Sequence, residues 1–352
     1  MPVDENELND LIGRFITDLG ATVHAGNVVI GDRLGLYRAL SELGPADAAR
    51  LAHHTGTSER YLREWLAGQA AGGYVSTDAD AGTFWLTDAQ HLALVDPGGV
   101  GMAGAFLLAV ACLQDEPKIT DAFRTGDGVA WHEHREDVFT GCERFFRPGY
   151  VANLVTSWLP ALDGVSEKLV AGGRVADVGC GLGTSTQLMA TAFPNARVTG
   201  FDYHQRSIEL ARKAAADAGL ANRVTFEVAA AADFPDTGYD LVATFDCLHD
   251  MGDPIGAAAH IRAALADDGT WLLVEPYAGD STAENFTPVG RLYYNFSTML
   301  CVPHAIAYGA GDTALGNQAG EAAVRLIATA AGFTRIRRAT ETPFNIIYEI
   351  RP

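Results

Sequence analysis

The stretch Asp177-Val178-Gly179-Cys180-Gly181-Leu182-Gly183-Thr184 decides how the second half of the chain folds. It follows a strand-like run and opens a helical pattern. Glycines have no Cβ, so a ligand can approach the backbone closely there. The spacing G-x-G-x-G differs from the G-x-G-x-x-G of dinucleotide-binding folds, and the absence of a following lysine excludes a nucleoside-triphosphate loop. The loop predicts a ligand site at a strand end, with simple close packing as the alternative.

Strand and helix patterns alternate on both sides of this loop. Such alternation predicts an α/β fold in which helices cover both faces of a parallel sheet. Two further runs near the end of the chain predict a closing antiparallel pair of strands. The predicted parallel strands are 174–178, 197–202, 224–228, 239–245 and 270–275, and the closing pair is 335–339 and 345–350.

Acidic residues follow two of these strands. Asp202 ends the second strand, where a carboxylate can accept hydrogen bonds from both hydroxyls of a ribose. Asp233 follows the third strand, where it can accept from an adenine amino group while the backbone of Phe234 contacts the ring. Each acid by itself is more typical of a solvated loop. Together, and without a lysine, they predict a pocket for an adenosine that carries no phosphate.

At this point the sequence from Gly173 onward resembles the class I S-adenosylmethionine-dependent methyltransferases, which have a Rossmann-like sheet with closing antiparallel strands. The resemblance implies that the glycine loop holds the methionine half of the cofactor, that Asp202 holds the ribose, and that Asp233 with Phe234 holds the adenine. The full set of cofactor-binding residues that it implies is Asp177, Gly179, Gly181, Gly183, Thr184, Asp202, Tyr203, Asp233, Phe234 and Phe245.

The first hundred residues are predicted to form a mainly helical winged-helix domain. A helix over 31–43, a second from Pro45, and a third that buries Tyr61 and Trp65 precede two short strand-like runs. Residues 1–90 contain six Arg, no Lys and thirteen acidic residues, which disfavours DNA binding. With this module, the chain resembles small-molecule O-methyltransferases that dimerise through a winged helix. A homodimer is therefore expected.

Methyl transfer from a sulfonium requires alignment and, for a hydroxyl acceptor, a base. His249 follows the fourth strand, and in the resembling enzymes a His at this place is the base, with a Glu matching Glu275 to orient it. A structural histidine at the strand end is the alternative. Between 276 and 320 a long insertion supplies Tyr294, Phe296 and Met299, which are candidate walls of the acceptor site or, alternatively, core residues.

The composition limits the partners. The 352 residues include 25 basic and 44 acidic side chains, a formal net charge of −19, which disfavours nucleic acid and anionic membranes. The longest apolar stretch, 99–113, is too short to span a bilayer. Five scattered cysteines indicate reduced thiols in the cytoplasm. No metal ligand set is expected, because nothing near His132 and His134 completes one.

These observations predict three segments: a winged-helix and dimerisation domain at 1–97, connecting helices at 98–170, and a methyltransferase domain at 171–352. The expected function is methyl transfer from S-adenosylmethionine to a small organic acceptor, with a hydroxyl oxygen as the favoured target. Two alternatives stay open. One is a winged-helix transcriptional regulator with the cofactor as its effector, and the other is a non-catalytic protein that binds the cofactor.

Overall fold

The computed structural model describes residues 3–95 and 101–352. The chain divides into two compact units, the first ending at Ala111 and the second running from Cys112 to Pro352. The boundary expected between residues 97 and 98 lies outside the described residues, and the division into three segments stays a prediction. Within the described ranges, no helix combines the length and apolarity needed to cross a bilayer.

The first unit is mainly helical, as predicted, with one short antiparallel hairpin. A further helix, α6 (Ala103–Gln114), crosses the border between the units; its predicted start, Val100, lies outside the described residues. The elements before it are α1 (Glu5–Arg33), α2 (Leu36–Leu43), α3 (Ala48–Thr55), α4 (Glu59–Ala71), β1 (Ser76–Asp78), β2 (Thr83–Trp85) and α5 (Asp88–Leu94).

Two predictions for this unit were wrong in detail. The helix expected over 31–43 is interrupted, because Gly35 adopts φ +66° and separates α1 from α2. Tyr61 was expected on the buried side of its helix, but it is 82% exposed, since Leu62, Trp65 and Leu66 form the buried face of α4 without it. A narrow apolar stripe is enough to hold a helix on a small core.

The second unit contains a seven-stranded sheet that confirms the predicted Rossmann-like topology. Its strand order is β5-β4-β3-β6-β7-β9-β8, with β3 to β7 parallel and the last two strands antiparallel to their neighbours. The strands are β3 (Arg174–Val178), β4 (Arg197–Asp202), β5 (Val224–Val228), β6 (Tyr239–Phe245), β7 (Leu265–Pro276), β8 (Arg335–Glu341) and β9 (Asn345–Arg351).

Helices cover both faces of this sheet, and alternate residues of each strand enter two separate cores. Val175 and Leu241 pack on one face, while Ala176 and Val242 pack on the other. The helices are α7 (Glu116–Thr125), α8 (Glu136–Asn153), α9 (Val165–Val170), α10 (Thr184–Ala192), α11 (Gln205–Asp217), α12 (Pro254–Ala264), α13 (Pro288–Phe296), α14 (Val302–Ala307) and α15 (Gly320–Ala330). Two π-helical turns, Leu154–Trp158 and Ser297–Cys301, follow α8 and α13.

This topology collects the functional candidates at one edge. Strands β3, β4, β6 and β7 are parallel, so their carboxyl ends lie side by side. In open α/β sheets, ligands bind beyond this edge, where the direction of strand order reverses. Here the order reverses between β3 and β6, directly beside the glycine loop.

Candidate active site

The glycine loop is shaped by positive φ angles and by close neighbours. Gly179 adopts φ +74°, and a Cβ there would lie 2.7 Å from Cys247 Sγ. Gly181 adopts φ +52° with open space around its missing Cβ, and its N–H donates to Asp202 Oδ2 over 2.9 Å. The loop therefore leaves free space beside Gly181, while the carboxylate that ends β4 fixes its backbone.

Gly183 has a different role. It adopts φ +80°, and a Cβ there would lie 2.5 Å from Phe226 Cζ, so this glycine permits close packing of α10 on the sheet. Asp177 is also turned away from open space. It is fully buried, and its Oδ2 accepts hydrogen bonds of 2.6 Å from the hydroxyls of Ser185 and Thr186. Burial raises the pKa of Asp177 to about 6.

Asp202 faces the opening of the loop. Besides the bond from Gly181, its Oδ1 accepts from the His204 N–H over 2.8 Å. Burial raises the pKa of Asp202, and the two backbone donors oppose this shift. A carboxylate has about four acceptor positions, so Asp202 keeps capacity for two further donors. Next to it, the ring of Tyr203 contacts His304 and Tyr308.

A cavity of about 370 Å³ opens beside these groups, within the second unit. Its size suits a cofactor or a drug-sized ligand. Six of the predicted cofactor residues line it: Gly179, Gly181, Thr184, Asp202, Tyr203 and Phe245. Asp177, Gly183, Asp233 and Phe234 are not among its lining residues.

The loop after β5 lines the cavity with four successive alanines, and the predicted acid Asp233 does not line it. Ala229 to Ala232 line the cavity. The Asp233 carboxylate turns back and accepts from the Ala230 N–H over 3.0 Å. Phe234 is buried against Phe201, away from the opening. A contact between Asp233 or Phe234 and a bound adenine stays a prediction.

The aromatic wall comes from residues that the sequence analysis did not select. Tyr294, Phe296 and Met299 do not line the cavity; Phe296 packs against Phe145. From the same insertion, His304 and Tyr308 do line it. The opposite wall is one face of α8, whose periodic spacing was a usable signal: Phe139, Cys142, Glu143, Phe146 and Tyr150.

His249 and Glu275 form a buried pair at the carboxyl ends of β6 and β7. His249 Nδ1 lies 2.6 Å from Glu275 Oε2, and Glu275 Oε1 accepts from the Leu248 N–H over 3.0 Å. His249 Nε2 lies 3.2 Å from Oδ1 of Asp250, which lines the cavity. His249 itself is 3% exposed and is not a lining residue. Asp250 thus lies between His249 Nε2 and the cavity.

The carboxylates around His249 favour its protonated form. Burial by itself would lower the pKa of His249, but the carboxylates of Asp250 and Glu275 outweigh burial and hold this pKa well above its usual value. The opposite holds for His304, whose pKa is lowered by burial. The surroundings thus favour the protonated form of His249 and the neutral form of His304.

Two comparisons of sequence identify the domains. Residues 169–330 match the family described as a methyltransferase domain, and residues 23–95 match an Rv2258c-like winged HTH domain. The second unit carries a methyltransferase domain. The glycine loop, Asp202 and His249 all lie within the matched part of the chain.

A curated relative has a methyltransferase domain similar to this one. The chain is 37% identical over 134 residues to the 27-O-demethylrifamycin SV methyltransferase of Amycolatopsis mediterranei (strain S699). The match covers 35% of this chain and 48% of that relative. The chain therefore spans about half the length of that relative.

Solved structures share the whole fold at low sequence identity. The mitomycin 7-O-methyltransferase is similar with a TM-score of 0.72 and 18% identity, over 99% of this chain and 100% of that one. An O-methyltransferase from neocarzinostatin biosynthesis, solved with S-adenosylmethionine and 2-hydroxy-5-methyl naphthoic acid, is similar with a TM-score of 0.62 and 18% identity, over 93% of this chain and 95% of that one. At these identities the similarities show a shared fold.

Groups able to bind metal also occur in the methyltransferase domain. Among the described residues, His249, Asp250 and Cys301 bring three ligand atoms within 4.8 Å of one another. Earlier in the chain, before the matched residues of this domain, His134 Nδ1 lies 2.9 Å from Asp115 Oδ2, and Glu133 accepts from the Ala130 N–H. These hydrogen bonds within the protein hold the segment Trp131-His132-Glu133-His134 in place. The absence of a metal site stays a prediction.

Proposed function

We propose that the chain is an S-adenosylmethionine-dependent methyltransferase that transfers a methyl group to a hydroxyl oxygen of a small organic acceptor. The observation that carries the proposal is the juxtaposition of Gly181 and Asp202, joined by a 2.9 Å hydrogen bond at the mouth of the cavity, within a methyltransferase domain. The O-methyltransferases with the same fold support a small organic acceptor, one of them with a bound naphthoic acid.

The residues present fit this cofactor. The space beside Gly181 admits its methionine half, the spare acceptor positions of Asp202 suit two ribose hydroxyls, and Tyr203 with Ala229 to Ala232 surrounds the place for an adenine. The lining residues, all of them within the described part of the chain, include neither Lys nor Arg, which suits an adenosine without phosphate. When bound, the cofactor supplies a methyl group already activated by a positive sulfur.

The chain's own residues then align the acceptor and take its proton. Transfer is an in-line displacement, so a cavity that holds the two reactants in contact supplies much of the rate. We assign His249 as the proton acceptor, with Glu275 fixing the imidazole through Nδ1 so that Nε2 faces Asp250 and the cavity floor. Because the pKa of His249 is raised, its neutral form becomes available only as the pH increases.

A turnover assay tests this function. Production of S-adenosylhomocysteine from S-adenosylmethionine is measured with a panel of phenols and alcohols, and the methyl position of each product is determined by NMR. For an accepted substrate, His249→Gln lowers kcat by about 10²- to 10⁴-fold, the usual contribution of a general base, and removes the increase of rate with pH. His53→Gln, an exposed histidine of the first unit, serves as the control and retains the rate. Unchanged turnover in His249→Gln would contradict the assignment of the base.

We also propose that the first unit mediates a homodimer instead of binding DNA. Helix α1 exposes an apolar stripe at helical spacing, Ile12, Ile16, Leu19 and Val23, in which Ile16 and Leu19 are each 67% exposed. A stripe of this kind is typical of a helix that packs against a partner. On α4, by contrast, Arg60 and Arg63 pair with glutamates one turn away.

Light scattering after size-exclusion chromatography tests the dimer. The wild-type chain is expected at twice its 37.4 kDa mass. The double change Ile16→Glu with Leu19→Glu is expected to give a monomer, whereas Arg14→Glu, on the opposite side of α1, keeps the dimer. A wild-type monomer, or a dimer that survives both substitutions in the stripe, would contradict this role of α1.

A cytoplasmic location is proposed as well. The five cysteines are free thiols, three of them buried: Cys112, Cys180 and Cys301. Free buried thiols are typical of a reducing compartment. Cell fractionation with an antibody against the chain checks this, and recovery outside the cytoplasmic fraction would contradict it.

A further inference from the structure

The charges on the cavity wall restrict what can bind there. Carboxylates line the cavity at five positions, and none of its lining residues, all within the described part of the chain, is Lys or Arg. Three of the five have structural partners: Asp202 fixes the glycine loop, Glu143 accepts from Thr184 Oγ1, and Asp253 caps α12. Of the remaining two, Asp250 lies 3.2 Å from His249 Nε2, and Asp246 accepts hydrogen bonds from neutral side chains only, among the residues that the structure describes.

Asp246 is held in an unusual conformation. It is buried, and it adopts φ +50°, a left-handed angle that is uncommon for residues other than glycine, although Asp and Asn take it more often than other side chains do. A residue kept in such a conformation is fixed by its surroundings and is often found at functional sites. Here its N–H donates to the Val274 carbonyl over 2.8 Å, which anchors it at the end of β6.

Its carboxylate is oriented from two sides by neutral donors. Tyr150 Oη donates to Oδ2 over 2.8 Å, and Asn345 Nδ2 donates to Oδ1 over 2.7 Å. Each oxygen keeps a further acceptor position. Burial, and the nearby charge of Glu275, raise the pKa of Asp246 to about 7, and they outweigh the opposing effects of the Tyr150 and Asn345 hydrogen bonds and of nearby His249.

A second polar group on the wall is a histidine with one unpaired ring nitrogen among the described residues. His304 is only 7% exposed, it lines the cavity, and its Nδ1 has no hydrogen-bond partner among the described residues. A buried polar atom of this kind costs free energy unless a ligand or water satisfies it. The cavity thus presents a carboxylate and a neutral imidazole between aromatic rings.

We propose that the acceptor carries no carboxylate or phosphate and that it donates a hydrogen bond, from a hydroxyl or an ammonium group, to the carboxylate of Asp246. This inference rests on the proposed function and specifies its substrate class. Asp246 is the residue that sets the specificity, because it is the buried, oriented acceptor among the aromatic side chains. An anionic acceptor would bring a like charge against Asp246, and the wall offers no Lys or Arg to compensate it, while His249 already faces the carboxylates of Asp250 and Glu275.

Binding of three phenols of similar size, whose para substituents are cationic, neutral and anionic, tests the inference. Tyramine, 4-ethylphenol and 4-hydroxyphenylacetate are titrated by calorimetry at pH 8 into the protein saturated with S-adenosylhomocysteine. The expected result is that 4-hydroxyphenylacetate binds at least tenfold more weakly than the other two. In Asp246→Asn this difference is expected to shrink below threefold, and asparagine tolerates the left-handed backbone. The exposed control Asp217→Asn keeps the wild-type ratio.

Each outcome decides the question. Equal or tighter binding of 4-hydroxyphenylacetate, or no binding of any of the three phenols, would overturn the inference. So would a folded Asp246→Asn variant that keeps the wild-type ratio, since a purely structural role would lower the Tm without changing that ratio. The wild-type ratio requires no variant, so it decides the substrate class even if Asp246→Asn does not fold. Failure to bind S-adenosylhomocysteine at all would instead refute the proposed function.

Discussion

Replacing Glu275 by Gln tests the buried charge pair that lies below the cavity. Glu275 Oε2 lies 2.6 Å from His249 Nδ1, and both side chains are buried. Removing one partner of a buried ion pair costs about 3–5 kcal/mol, because the other charge loses its compensation. Glutamine keeps an acceptor for the Leu248 N–H. We therefore expect a loss near the lower limit, about 3 kcal/mol of the free energy of unfolding.

The stability that the His249–Glu275 pair contributes depends on pH. The folded-state pKa of His249 is raised above the unfolded value of about 6.5. The pair therefore contributes its full stability below that value and loses it as the pH rises through the folded-state pKa. The groups facing His249 are Glu275, Asp250 and Cys301. The difference between wild type and Glu275→Gln is expected to be largest near pH 6 and to shrink at alkaline pH.

Urea unfolding, followed by circular dichroism and tryptophan fluorescence at several pH values, measures this difference. Glu209→Gln, in which an exposed glutamate beside Arg206 is neutralised, is the matched control and is expected to unfold like the wild type. NMR titration of the His249 ring checks the cause directly, since its pKa is expected to fall in Glu275→Gln. Equal unfolding curves for the variant and the wild type at pH 6 would refute the ion pair.

Two further predictions concern residues around the cavity. Both Gly181→Ala and Gly183→Ala put a side chain on a left-handed backbone, which costs stability. Only Gly183→Ala also places its Cβ 2.5 Å from Phe226. We expect urea unfolding to give a loss about 2 kcal/mol larger for Gly183→Ala, and equal losses would contradict the packing role. Tyr150→Phe removes the donor to Asp246, at a cost of about 1.5–3 kcal/mol when that carboxylate is ionised. Since the pKa of Asp246 is about 7, the loss is expected to be larger at pH 8.5 than at pH 6, and the reverse order would contradict this contact.

The sheet could be predicted because its signals are local. Four of the five parallel strands match the bounds expected from the sequence, since short apolar runs bounded by turn residues indicate buried strands by themselves. The fifth, β7, begins five residues earlier than expected, at Leu265. The order of strands then brings the glycine loop and Asp202 together without any further assumption. His249 and Glu275 are in contact for the same reason, because both lie where a parallel strand ends at the carboxyl edge of the sheet.

The cavity wall could not be predicted, because its residues are distant in sequence. Helix α8 contacts the sheet edge through Tyr150, 96 residues before its partner Asp246. Within the insertion, His304 lines the cavity and Tyr294 does not, and a π-helical turn separates these two residues. Residue spacing along one segment does not determine either contact.

Calorimetric titration with S-adenosylmethionine tests the central claim most directly. We expect saturable binding to the wild-type protein, weakened about 10- to 100-fold in Asp202→Asn, because one or two hydrogen bonds to a charged acceptor are lost. Asp217→Asn, on the exposed end of α11, is expected to bind like the wild type. Absence of binding to the wild type, or an Asp202→Asn variant with unchanged affinity, would contradict the assignment of this cavity to the cofactor.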